Sequence, residues 1–146
     1  MGVALSNLGI SPAWWWILSL VFNVLVTMSI IITLSYLFST AAFYAPAQAE
    51  EISSYVIEST RNLSTYPLSG MPLFIQIPLV TIFPAGLLGW FPSLALLGKP
   101  PLGLPSFYPV IVAAILFLLT TIIFKKGLMH YVKTGTNRYS AVGHRR

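Results

Sequence analysis

Few residues in this chain could do chemistry. The acidic groups are Glu50, Glu51 and Glu58, there is no Asp and no Cys, and the two histidines are His130 and His144. Without cysteine there is no thiolate nucleophile, no disulfide and no Cys-ligated metal site. A metal would need ligands from another chain, because both histidines fall in the basic C-terminal stretch, far from the glutamates. No Ser/His/acid set can assemble for the same reason, and no Gly-x-x-x-x-Gly-Lys-Ser/Thr loop is present to hold a nucleotide. The reading is of a non-enzyme with no cofactor and no metal.

The informative residues are instead those that interrupt apolar runs. The 146-residue chain is 56% hydrophobic and 8% charged, with a mean hydropathy of +0.82. A soluble domain carries about 25% charged residues, so lipid must solvate most of this surface. Six of the eight basic residues lie at Lys125, Lys126, Lys133, Arg138, Arg145 and Arg146. That makes a cytoplasmic juxtamembrane tail under the positive-inside rule, touching anionic lipid headgroups and requiring no nucleic acid. The Met1-Gly2 start with Ser6 matches a short myristoylation pattern of low specificity. Ala45-Pro46-Ala47 and Ala47-Gln48-Ala49 look like signal-peptidase sites, but the apolar run before them is too long and lacks a basic start.

The first 49 residues carry no charge. Ser11-Pro12 is a helix start, Trp14-Trp15-Trp16 a belt at a membrane–water boundary, and Pro46 a stop. A first span over about 13–44 follows, near 45 Å long and so expected to tilt or protrude. Over 47–62, Ile52, Tyr55, Val56 and Leu63 recur near helical spacing, with Glu50, Glu51, Glu58 and Arg61 between them. This predicts an amphipathic helix on the cytoplasmic surface or against a partner, and those four charges are candidate cytoplasmic contacts. A solvated connecting helix without a partner is the plainer alternative.

After the breakers Tyr66-Pro67-Leu68-Ser69-Gly70-Met71-Pro72, a second span is expected over about 72–88 and an external re-entrant half-helix over 89–98. The last span covers about 107–124, and the tail runs over 125–146. The fold class is therefore an all-α membrane protein: three transmembrane helices, a cytoplasmic amphipathic helix and an external half-helix. A basic tail in the cytoplasm puts the N-terminus outside. The sequon Asn62-Leu63-Ser64 is then on the silent side.

Inside the spans, Ser19, Asn23 and Thr27 share a helix face, and Gln76 stands near the cytoplasmic end of the second span. All four are candidates for helix packing or for lining a path. No ionisable residue is expected within any span, which argues against ion-coupled transport and for an external energy source. Pro84, Gly86, Gly89, Phe91 and Pro92 are candidates for a bend that supports an external gate. Plain helix kinking accounts equally well for the prolines.

The ordered series Tyr66-Pro67-Leu68, Ile82-Phe83-Pro84-Ala85, Phe91-Pro92-Ser93, Leu96-Leu97-Gly98, then Gly127, Tyr131 and Gly135, resembles ABC-2-type permeases, the membrane subunits of bacterial and archaeal ABC exporters. The resemblance covers roughly 60–139; the first helix agrees only in hydrophobicity. It implies six spans with both termini cytoplasmic, of which these three correspond to the last three. It also implies a separate ATP-binding ABC subunit and a second permease copy or the remaining N-terminal half, all in the prokaryotic cell membrane. The rival reading is a small structural or assembly subunit of another membrane complex. An intramembrane enzyme is disfavoured by the lack of charged or nucleophilic groups at depth.

Overall fold

The computed structural model describes the backbone of residues 14–142 and the side chains of residues 14–134. The Met1-Gly2 pattern, Ser11-Pro12, Gly135 and the tail residues Arg138, His144, Arg145 and Arg146 have no described side chains. Every element among the described residues is helical: α1 (Trp14–Ser39), α2 (Pro46–Ser64), α3 (Leu73–Thr81), α4 (Trp90–Leu96) and α5 (Tyr108–Val142), with short 3₁₀ turns between them.

Two helices are long and apolar enough to cross a membrane, Trp14–Phe43 and Tyr108–Thr134. Both are hydrophobic on all sides, and most of their side chains are uncovered by this chain: Phe22, Leu25, Ile32, Phe117 and Leu118 are each exposed. An all-round apolar helix of this kind suits lipid and not water. The two run parallel at a constant offset. Val26 and Ala113 line one surface pocket, and the Thr120 hydroxyl donates to the Thr33 carbonyl at 3.4 Å. Lower down, the Phe43 ring meets Phe124 edge-on at 5.3 Å. Each thus starts at the end marked by Trp14–Trp16 and finishes at the end marked by Lys125 and Lys126.

Parallel neighbours need a return crossing, and the chain makes it in pieces. Pro46 occupies the first turn of α2, where its missing N–H is harmless. From there α2 runs back antiparallel along α1. Ser39 and Ser53 hydroxyls lie 3.5 Å apart, and Thr27 and Ser64 line one cleft further up. The expected surface helix over 47–62 is thus packed lengthwise on the lower half of α1. Of its expected apolar stripe, Val56 shares a cleft with Ile31 and Leu34 of the same molecule, while Ile52 and Tyr55 stay exposed.

The second span, expected over about 72–88, is not one continuous helix. The chain breaks after Thr81, and Leu73–Thr81 and Pro84–Leu96 are bent by 75° from one another. Proline explains the position. Phe83 is held at φ −119°, ψ 89° by the ring that follows it, outside the helical region. The Ile82 and Phe83 N–H groups both fall back on the Pro78 carbonyl, at 3.0 and 2.9 Å. α4 then climbs to the tryptophan end and stops in a two-bond motif. Gly98, at φ +72°, donates to Ala95 at 3.0 Å, and Lys99 donates to Leu94 at 2.9 Å. The last helix does not end at Phe124 either; it continues through both lysines.

At the lysine end the two long helices touch through a glycine. A Cβ on Gly127 would lie 2.6 Å from Phe43 Cδ2 and 3.4 Å from Phe43 Cβ. The neighbouring Tyr131 ring is 6.1 Å from Phe43, and His130 stacks on Tyr44 at 4.7 Å. Gly127→Ala is expected to cost about 1–3 kcal/mol by overpacking, seen as a lower thermal midpoint in detergent. Combining it with Phe43→Leu should recover part of the loss, because the two sites share one contact.

Candidate functional site

The site is the joint where the pieces of the return crossing meet the long pair. Pro84, Ala85, Gly86 and Leu87 are all buried, and Leu87 and Phe91 are fully so. Leu87 and Phe91 pack with Ile30 and Leu34 of α1, Val80 of α3, and Val112 and Ala113 of α5, while the Pro84–Leu87 turn as a whole lies against α2, α3 and α4. A Cβ on Gly86 would meet Leu68 Cδ1 at 2.7 Å and the Leu79 carbonyl at 3.1 Å, so only glycine lets that backbone sit there. Gly89 lies against the end of α2, its would-be Cβ 3.4 Å from the Ser64 carbonyl. Two indoles tie the joint's edges: Trp90 Nε1 donates to Ser69 Oγ at 2.7 Å, and Trp16 Nε1 donates to the Leu96 carbonyl at 3.3 Å.

The structure therefore brings Pro84, Gly86, Gly89, Phe91 and Pro92 together. Phe91 is part of the packed core, Pro84, Gly86 and Pro92 are buried beside it and Gly89 is half-buried, so none forms an exposed flap. Phe91 stands with its ring 5.9 Å from Tyr108, at the head of α5. Pro92 is in the first turn of α4, where a helix tolerates it.

The polar candidates on α1 separate. Ser19 is exposed; Asn23 turns its Nδ2 back onto the Ser19 carbonyl at 2.8 Å. Thr27 alone reaches the joint, in a cleft of about 310 Å³ shared with Leu88, Thr60 and Arg61. Gln76 is buried, and its Nε2 donates to the Met71 carbonyl at 2.6 Å, so it braces the turn that starts α3.

Glu50, Glu51, Glu58 and Arg61 are exposed on α2. The first two lie near its start, beyond the Ser39–Ser53 contact. Glu58 and Arg61 lie above it and line an open groove with Ser54 and Asn62. Sequence reasoning passed over the Thr33–Thr120 contact and the Phe43–Gly127 contact. The usable signal was an aromatic pair, Phe43-Tyr44, ending one apolar run, and a small residue just after the lysines ending the other.

Phe91→Ala is expected to cost about 3–5 kcal/mol, as for a fully buried ring, and Gly86→Ala about 1–3 kcal/mol. Asn23→Ala should stay within about 0.5 kcal/mol, because its hydrogen bond is to its own helix. Thermal midpoints of the three purified variants check the order.

A family described as "ABC-2 family transporter protein" matches residues 1–135, including the first helix. No curated protein and no solved structure matches the chain.

Proposed function

The chain belongs to the ABC-2 family of transporter proteins, a multi-pass membrane permease of an ABC transporter, and we propose that it forms part of the translocation path of an ATP-driven exporter. The observation that carries this is the broken return crossing. An anchor or assembly subunit would be served by a plain apolar helix, whereas this chain holds a 75° bend in its core, between two spans. Irregular backbone at membrane depth is kept where it is sheltered by protein or borders a cavity. Ser19 and Thr27 are proposed to face the path. Pro84 to Pro92 would act as the pivot behind an external gate at the tryptophan end.

In this reading the lysine end is cytoplasmic and the membrane is the prokaryotic cell membrane. ATP binding and hydrolysis belong to a separate ABC subunit, since the chain has no phosphate-binding loop. That subunit would dock where Glu50 and Glu51 emerge at the start of α2. Closure of the ATPase pair would push α2 along α1 and lever the joint above it. Further spans, on a second permease copy or on an N-terminal half, would complete the path.

Two measurements test the reading. An ATP-binding subunit is expected to co-purify with the chain from membranes, and Glu50→Lys with Glu51→Lys should lower both its recovery and ATP-dependent transport. Recovery of the chain with other membrane proteins and no ATPase would favour the assembly-subunit reading. Separately, Pro84→Ala with Pro92→Ala should slow transport by the reconstituted exporter; unchanged transport removes the gating role.

A further inference from the structure

We propose that the exposed face of α2 lines a water-filled vestibule open at the lysine end and reaching close to the middle of the membrane. The inference rests on helix register and family membership, and does not depend on the direction of transport.

The register sets depths. Lys125 and Lys126 of α5 stand beside the Ser39–Phe43 end of α1, and Trp16 marks the other end. Trp16 to Ser39 spans about 35 Å of helix, close to the hydrocarbon thickness plus its margins. α2 meets α1 at Ser39–Ser53 and shares the cleft of Thr27 and Ile31 at Arg61 and Ser64. Arg61 thus lies about 12 Å in from the Ser39 level, and Glu58 about 8 Å in, at 1.5 Å per residue. Helical side chains lean toward the N-terminus of their helix. Arg61 and Glu58 therefore lean toward the lysine end, shortening but not closing that gap.

Polarity decides what can stand there. The hydroxyls of Ser35, Thr60, Thr81 and Thr121 each donate to a carbonyl four residues back, so they need no outside partner in lipid. Glu58 and Arg61 have no such recourse, since a carboxylate has no proton to give a carbonyl and one carbonyl leaves most of a guanidinium's donors unmet; Asn62 could bond back as Asn23 does but makes no such bond. Among the described residues their side chains have no hydrogen bond or ion pair, and all three are exposed on the groove that also includes Ser54 and Ile57. Charged groups at such depth face a water-filled cavity or protein, not acyl chains. Glu50 and Glu51 are already beyond the Ser39 level. Glu51, Ser54, Glu58 and Arg61 follow one another at three- and four-residue spacing, so one polar strip runs from the aqueous end inward, as a water path requires.

The chain's lack of cysteine makes the test direct. Ser54→Cys, Glu58→Cys and Asn62→Cys would each be made in the full chain, in membranes of cells producing the complete transporter. Each would be treated with a charged, membrane-impermeant maleimide. Leu118→Cys is the control at Arg61's depth, exposed on α5 to lipid, and Lys126→Cys is the aqueous control. A thiol reacts as its thiolate, which needs water, so Glu58→Cys and Asn62→Cys should label at least about ten-fold faster than Leu118→Cys. Labelling no faster than Leu118→Cys overturns the vestibule. So does a disulfide between two copies at these positions on mild oxidation, which would put a second chain on this face. Glu58→Cys and Asn62→Cys stand in for one another where one fails to accumulate in the membrane, and Ser54→Cys reports the mouth of the groove. Labelling that succeeds while transport assays fail counts against the export reading alone.

Discussion

The structure is governed by what happens to backbone carbonyls once proline withdraws their partners. Pro78, Pro84 and Pro92 cannot donate to the carbonyls of Phe74, Val80 and Leu88, and hydrocarbon offers nothing in exchange. The chain answers by enclosing the worst of the breaks. Pro84 to Leu87 is buried against α2, α3 and α4, and Leu87 and Phe91 reach α1 and α5, with the Phe91 ring beside Tyr108. Gly86 is the condition for this, since any side chain would hold the turn away from Leu68 and Leu79. Burial of the bend also fixes where α4 points, and so brings Leu96 to Trp16.

The same accounting of hydrogen bonds sorts the polar residues within the spans. Serine and threonine hydroxyls on helices can bond backwards along their own turn, and those of Ser35, Thr60, Thr81 and Thr121 do so. Asn23 does likewise, and Gln76 reaches the Met71 carbonyl. They are compatible with lipid without marking a path. Glu58, Arg61 and Asn62 of α2, among the described residues, make no such bond.

The sequence made some of this legible and hid the rest for identifiable reasons. Charge scarcity, the tryptophan cluster and the lysine pair are local signals, and they located the two long helices, though the last one runs on past the lysines. The half-helix was also readable, because Gly89, Pro92 and Gly98 bracket it with known stereochemistry. Two matters were not readable. The break came at Ile82–Phe83, ahead of Pro84, because proline acts on the residue before it, while hydropathy continues unchanged through both sides. The placement of α2 depended on Ser39 meeting Ser53, a tertiary contact. An amphipathic pattern reports that one face is covered but not whether lipid surface or a neighbouring helix covers it.

The direction of the long helices explains why the middle of the chain is broken at all. Two parallel spans demand one net crossing between them, and a single straight helix would suffice for an anchor. Here α2 rises from the lysine end only to the level of Thr27, and α4 resumes at that same level, with Gly89 against Ser64, and finishes beside Trp16. From Ser53 to Ser64 α2 rises about 17 Å inside the Ser39 level, and the seven residues of α4 add about 10 Å. Together they cover most of one traverse. The segment 65–83 is therefore an insertion that leaves and rejoins the crossing at mid-depth. A crossing cut in half there has two parts that can shift against each other, while α1 and α5 stay clamped through Phe43 and Gly127.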